Sequence, residues 1–351
     1  MSALAPRLAV PPIRVLVVDD SAIVRGLIIS GLEAWPGIEI AGRAANGQAA
    51  VAETARLRPD VVVLDLEMPV MDGMTALPLI LAAHPGVKVI IASTLSQRNA
   101  RISLEALTQG AHDYVPKPQS GSLAIAQDFH RELAEKVTAL GRTERALAAP
   151  ARIATGTVRR APKVLAIGGS TGAPPALLSL FEALGGVDLP ILLTQHMPAG
   201  FTTLLAQQLA RAGGRPCTEG HEGERIVPGR AYVAPGGFHM TVGVSQAGPV
   251  IRLNQDPPEH FCRPAVDPML RSAAEVYGAG LMAVILTGMG SDGADGCVAV
   301  TDRGGRCIVQ DAATSVVWGM PGAASRTGVV EAVLPLNRIG DYIRNAVGAA
   351  R

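Results

Sequence analysis

The residues Gly168-Gly169-Ser170-Thr171-Gly172 follow a short apolar run, Val164 to Ile167, and precede an apolar-periodic stretch behind Pro174 and Pro175. That is a G-x-S-x-G pattern in a strand–turn–helix setting, the arrangement that presents a serine hydroxyl as a nucleophile. Glycines on either side let the chain turn sharply without Cβ clashes, so Ser170 is expected at the sheet's edge. The helix N-terminus beside it would offer unpaired N–H groups and a positive dipole end to an oxyanion. The alternatives are a phosphate-cradling loop or a plain tight turn. Against the first, residue 170 is not glycine and no Gly-Lys-Ser/Thr follows.

Acyl transfer at a serine needs a base for its proton and a carboxylate that fixes the tautomer of that base. His196 ends the apolar run that begins at Leu189, and Asp292 stands in Gly288-Met289-Gly290-Ser291-Asp292-Gly293, behind the run 281–287. Ser170, His196 and Asp292 thus fall at three strand ends, in a chain order unlike the three familiar ones. Order does not decide the matter, because triads are defined by geometry. Blander readings stand beside this one. A histidine after a strand is usually structural or solvated, and an aspartate between glycines is a common turn residue. His221, His239 and His260 are rival bases by type, His239 the closest competitor.

A second group lies in the first third of the chain. Asp19-Asp20 close the run IRVLVV, Asp65 closes VVVL, Ser93 ends VKVIIAS, and Lys117 ends HDYVPK before Pro118. Three carboxylates at one sheet edge repel, by about 4 kcal/mol for two unit charges ~4 Å apart at an effective dielectric near 20. A hard divalent cation explains such a cluster, and Mg²⁺ suits a few carboxylates with waters and a phosphoryl oxygen. Taken singly, Asp19 or Asp20 could cap the helix that begins at Ser21, and Lys117 could be a solvated charge. Those single readings leave the joint placement of three acids, a hydroxyl and a lysine unexplained.

These residues need a scaffold, and the hydrophobic pattern supplies one. From Ile13, five short apolar runs alternate with five helical patterns, ending in a helix from Leu123 to about Leu140. This predicts a flavodoxin-like α/β domain with a five-stranded parallel sheet, which binds ligands outside the carboxyl ends of its strands. Residues 1–12 read as a frayed tail, and 141–160, with Arg152, Arg159 and Arg160, as a flexible linker. From Ala161 a second doubly wound α/β domain is expected. It should include a hairpin over 238–253, a helix over 266–277 and a final strand, RCIVQ.

Composition narrows the classes further. At 351 residues about two domains are expected. A net charge of +1 supplies no field for nucleic acid or acidic lipid. Cys217, Cys262, Cys297 and Cys307 form no C-x-x-C pair and read as free thiols of a reducing compartment. No apolar run approaches ~18 residues, and neither a signal peptide nor a membrane span is expected, so a cytoplasmic protein is predicted.

Residues 13–139 resemble the receiver domain of two-component response regulators, on VVDDS, VLDLEMPVMDG and YVPKP. The resemblance implies that Asp65 accepts a phosphoryl group from a histidine kinase. It implies that Asp20, Asp65 and the Glu67 carbonyl hold Mg²⁺, with Asp19 assisting through water. Ser93, Lys117 and Tyr114 would be the switch residues. Residues 161–349 resemble the methylesterase domain of the CheB family, on AIGGSTGAP, QHMPAGFT, AYVAPGGFHM, HFCRPAVDPML and LTGMGSDGADG. This implies Ser170 as nucleophile, His196 as general base and Asp292 as orienting carboxylate, with Met289 as backbone oxyanion donor and Thr171 as a supporting hydroxyl. One departure is the flanking of the core by Gly169 and Ala173, where that family often has Ala-Ser-Thr-Gly-Gly.

The expected protein therefore has a receiver over 13–140, a linker over 141–160 and a methylesterase domain over 161–349. Phosphorylation would activate hydrolysis of glutamate γ-methyl esters on chemoreceptors, with receptor glutamine deamidation as a second activity. A chemotaxis histidine kinase would be the phosphodonor. No cofactor is expected for the ester reaction, no nucleic-acid partner, membrane contact only through receptors, and a monomeric state. Two other classes remain: a phosphorylation-controlled binding module with a scaffold domain, and a DNA-binding regulator, the latter disfavoured by the near-zero charge.

Overall fold

The computed structural model describes residues 11–94, 96–118, 123–142 and 160–348. Most of the expected tail and linker, including Arg152 and Arg159, lies outside the described residues. The chain divides into two compact units, Met1–Thr143 and Glu144–Arg351.

The first unit alternates as its apolar pattern requires: β1 (Ile13–Val18), α1 (Ala22–Glu33), β2 (Ile38–Ala44), α2 (Gly47–Leu57), β3 (Val61–Asp65), α3 (Gly73–Ala83), β4 (Lys88–Ser93), α4 (Gln97–Thr108), β5 (Asp113–Pro116) and α5 (Leu123–Gly141). Its five parallel strands run in the order β2-β1-β3-β4-β5. That is the flavodoxin-like order, with its switch point between β1 and β3. Strand β3 is buried along its whole length, as a strand covered by helices on both faces must be. Polar side chains set the helix starts: Ser21 Oγ accepts from Val24 N–H, Asn46 from Ala49, Asp72 from Thr75 and Ser96 from Asn99. Ser21, not Asp19 or Asp20, caps α1; Asp19 Oδ1 accepts the Ser21 N–H at 2.9 Å, and its other oxygen faces Lys117.

The second unit continues with β6 (Val164–Gly169), α6 (Ala173–Ala183), β7 (Ile191–Gln195), α7 (Phe201–Gly213), β8 (Cys217–Glu219), β9 (Ala231–Val233), β10 (His239–Ser245), β11 (Gly248–Asn254), α8 (Val266–Tyr277), β12 (Leu281–Ile285), α9 (Ala294–Asp302), β13 (Arg306–Gln310), α10 (Met320–Arg326), β14 (Ala332–Leu334) and α11 (Leu336–Gly348). Seven strands, every pair parallel, lie in the order β14-β13-β12-β6-β7-β9-β8. The first strand of the unit, β6, sits between β7 on one side and β12 on the other. The carboxyl ends of these three strands form the switch point. The expected hairpin is β10–β11, antiparallel from His239↔Asn254 to Ser245↔Gly248. Ser272 Oγ of α8 ties to it by accepting the Val242 N–H at 3.0 Å.

RCIVQ is not the final strand. It is β13, and β14 pairs beside it at the sheet edge, Ile308 against Ala332. Three residues are too few to show periodicity. Helix α6 also starts earlier than its prolines suggest, at Ala173, so Pro174 and Pro175 lie inside its first turn.

Candidate active site

Ser170 follows β6 directly, and its backbone is tied to the neighbouring strand ends. Its N–H donates to Thr287 O (3.1 Å), and its carbonyl accepts from Ala173 N–H (3.0 Å) and from Gln195 Nε2 (2.9 Å). The left-handed residue of the turn is Gly172, at φ 76°, not Ser170. A Cβ on Gly172 would meet Val316 at 2.5 Å, so the position demands glycine twice over. The expected donors at the start of α6 are largely spent. Pro174 and Pro175 have no N–H, and the Ala173 N–H goes to Ser170 O. Met289, the other expected donor, follows Gly288 in the turn beyond β12. Gly288 packs on the serine, since a Cβ there would come within 2.9 Å of Ser170 Cβ. Among the described residues, no carbonyl takes the Met289 N–H. Thr171 is buried, and its carbonyl accepts from Thr287 Oγ1 at 3.0 Å.

His196 follows β7, and Asp292 lies beyond β12. His196 Nε2 and Asp292 Oδ2 are 2.7 Å apart. The carboxylate is 1% exposed and sits at the N-terminus of α8, accepting the N–H groups of Val266 (2.6 Å) and Asp267 (2.9 Å). Burial pushes the Asp292 carboxyl up, but His196 and these two N–H groups outweigh it and hold it below its ordinary value. For His196, burial works to lower the imidazole pKa, while Cys262 and Asp292 raise it above the ordinary 6.5. Among the described residues, no hydrogen bond joins Ser170 to His196.

The rival histidines are otherwise engaged. His221 is exposed beside Glu224, 3.5 Å away. His239 is buried between the Pro257 carbonyl (3.2 Å) and the Ala265 N–H (3.2 Å). His260 pairs through Nε2 with Asp267 Oδ2 at 2.9 Å. That second His–Asp pair went unassigned in the sequence, as did Gln195, Thr287 and Cys262. An acid in a helix's first turn reads as an ordinary dipole complement, and Gln195 reads as the end of a strand.

In the first unit the acidic group assembles at the switch point. Asp19, Asp20 and Asp65 bring carboxylate oxygens within 4.8 Å of one another. Lys117 Nζ lies 2.6 Å from Asp19 Oδ2 and 2.8 Å from Asp65 Oδ2. Burial raises the Asp65 carboxyl; Lys117 pulls against it and Asp19 adds to it, leaving a net rise. Glu67 N–H donates to Asp65 Oδ1 at 3.4 Å, while the Glu67 carboxylate accepts from Asn99 Nδ2 at 3.3 Å. The loop is shaped by Gly73, where a Cβ would stand 2.1 Å from the Asp65 carbonyl oxygen. Ser93 is buried and shares a 2.7 Å hydrogen bond with Ser103 Oγ. Tyr114 is buried, with Lys136 Nζ 5.2 Å from its ring centre. Three clustered carboxylates with oxygen donors only are a hard-cation set, and Mg²⁺ fits it.

The four cysteines are free, and no described helix is long and apolar enough to cross a membrane.

Comparison with known proteins matches residues 165–343 to the CheB methylesterase family and residues 15–126 to the response regulator receiver domain family. A Rhodospirillum centenum protein named protein-glutamate methylesterase/protein-glutamine glutaminase of group 2 operon is 50% identical, covering 95% of this chain and 93% of its own. A Paramagnetospirillum magneticum protein-glutamate methylesterase/protein-glutamine glutaminase 1 is 48% identical, covering 97% of each. The crystal structure of the Thermotoga maritima CheB methylesterase catalytic domain aligns at TM-score 0.51 and 38% identity, over 52% of this chain and 98% of that one. With a buried His–Asp pair beside a serine turn in one unit and an acid pocket closed by a lysine in the other, the chain belongs to the CheB methylesterase family, in its form with an N-terminal response regulator receiver domain.

Proposed function

We propose that the protein hydrolyses glutamate γ-methyl esters on methyl-accepting chemoreceptors, and that phosphorylation of Asp65 raises that activity. The observation that carries the reading is the 2.7 Å His196–Asp292 pair beside Ser170 at one switch point. Ser170 Oγ attacks the ester carbonyl as His196 takes its proton, and Asp292 orients the imidazole and stabilises its charged form. The Met289 N–H meets the developing oxyanion, and Thr171 supports the turn. Collapse expels methoxide, which leaves as methanol with the proton from His196. Water, deprotonated by His196, then cleaves the acyl-serine to free glutamate and Ser170. With a glutamine side chain the same steps expel ammonia, which is deamidation.

In the receiver, Asp65 Oδ attacks a phosphohistidine of a chemotaxis histidine kinase. Asp20, Asp65 and the Glu67 carbonyl, with Asp19 assisting, would hold Mg²⁺, which would neutralise charge on the incoming phosphoryl group. Lys117 then partners the phosphoryl oxygens, and Ser93 and Tyr114 transmit the change. The reading extends to a receiver over 13–140, a linker over 141–160, a methylesterase domain over 161–349, and a monomer of the cytoplasm. Ser170→Ala tests the chemistry: methanol release should fall on the order of 10⁶-fold. Release at the parent rate would remove Ser170 from the reaction.

A further inference from the structure

Two buried carboxylates cap each other's helices. Asp292 accepts the Val266 and Asp267 N–H groups that open α8 (2.6 and 2.9 Å). Asp267, in that same turn, accepts the Gly293 and Gly296 N–H groups that open α9 (3.0 and 2.6 Å). Gly293 follows Asp292 directly, so neither carboxylate can move without moving the helix start that holds the other. The second oxygen of Asp267 meets His260 Nε2 at 2.9 Å.

His260 sits on a turn held under strain. His260 and Phe261 have φ of 52° and 63°, left-handed values that L-residues avoid. The turn is closed by Cys262 N–H to Glu259 O (2.8 Å) and Glu259 N–H to Cys262 O (3.2 Å). Arg271 of α8 grips the Glu259 carboxylate with both terminal nitrogens, at 3.0 and 2.5 Å. Such backbone persists only where its surroundings over-determine it. The turn ends at Cys262, one of the groups that act on the His196 imidazole. Helix α8 therefore governs His196 from two sides, through Asp292 and through this turn, and Asp267 is the residue common to both.

We propose that Asp267, paired with His260, is a positioning residue for the ester hydrolysis: it fixes Asp292 against His196 and places a second buried negative charge behind that pair. The inference rests on the esterase reading for its catalytic consequence, but the geometry of the pair is independent of it. The titratable and charged groups around Asp267 are Asp292, His260, Arg271 and Cys297. Burial and the Asp292 charge push its carboxyl up, while the Gly296 N–H and His260 pull it down.

A capping role and a charge role separate in Asp267→Asn. Asparagine keeps an oxygen for Gly293 and Gly296 and turns an amide to His260, so the helix starts survive while the charge goes. In the full-length protein, the Asn variant should melt close to the parent. Its His196 imidazole, followed by ¹⁵N NMR titration, should lose its proton about half a unit or more lower in pH. The kcat should fall about tenfold with KM within about twofold, the signature of a group felt in the transition state. Should the Asn variant fail to fold, Asp267→Ser, which retains an acceptor and lacks the charge, carries the same expectations. An unchanged His196 titration in a folded variant overturns the proposal, whatever the activity. Absence of Ser170-dependent methanol release in the parent would count against the esterase reading alone, because the titration does not depend on turnover.

Discussion

Asp292 serves His196 and helix α8 with a single oxygen: Oδ2 lies 2.7 Å from His196 Nε2 and 2.6 Å from the Val266 nitrogen. The second contact fixes the carboxylate so that the first can fix the imidazole. In Asp292→Asn one oxygen replaces two: an amide nitrogen turned to His196 imposes the wrong tautomer and faces the Val266 N–H, and one turned the other way faces the Asp267 N–H. Ester hydrolysis should fall about 10⁴-fold, the cost of the same exchange in a serine protease. Turnover within tenfold of the parent would show that Asp292 does not orient His196.

The pH profile follows from the sign of the His196 shift. Its imidazole pKa is raised, so at neutral pH the ring holds a proton that a base must shed before it can accept one from Ser170. The rate should therefore climb as pH rises beyond about 6.5, the unperturbed imidazole value. Cys262→Ala removes one of the groups that raise it, and the acidic limb of kcat/KM should move to lower pH. A limb that stays in place would separate Cys262 from the base.

Linkage gives the matching stability statement. A raised folded-state pKa contributes stability that is full below about 6.5 and is lost as pH rises through the folded value. His196→Gln should therefore destabilise the catalytic unit more at pH 6 than at alkaline pH, as read by urea unfolding. Equal destabilisation at both would contradict the raised pKa.

How much of this was legible beforehand depends on what each residue does. Ser170, His196, Asp292, Asp65 and Lys117 stand at the carboxyl ends of apolar runs, and a doubly wound sheet gathers those ends by construction. Their types and positions could be read one-dimensionally. Asp267 could not, because its partners are N–H groups of a helix 26 residues away, and backbone donors leave no mark on the sequence. The donors expected at the start of α6 were misread for a related reason: Pro174 and Pro175 mark the helix start but remove the N–H groups that made it interesting. Strand β14 escaped because three edge residues carry no period.

Gly73 offers a test in the receiver. A Cβ there would stand 2.1 Å from the Asp65 carbonyl oxygen and 2.8 Å from Leu66 Cα, both backbone atoms that cannot rotate away. Gly73→Ala should destabilise the receiver by about 1–3 kcal/mol and abolish phosphodonor stimulation while leaving basal ester hydrolysis. Normal stimulation would show that the loop does not need its present path.

Val70 makes the opposite prediction. It is 80% exposed and has φ 69°, a left-handed conformation that a β-branched residue adopts with strain. Val70→Gly relieves that strain and loses little packing, so the receiver should gain about 1 kcal/mol in urea unfolding. A loss of stability would mean that the Val70 side chain is held by contacts of its own.

The most direct measurement is methanol release from methylated receptor membranes, with and without a small phosphodonor and Mg²⁺, for the parent, Ser170→Ala and Asp65→Asn. The account predicts release that rises with phosphodonor, is absent in Ser170→Ala, and stays at the unstimulated rate in Asp65→Asn. Release that survives the loss of Ser170, or no release from methylated receptors at all, would contradict it.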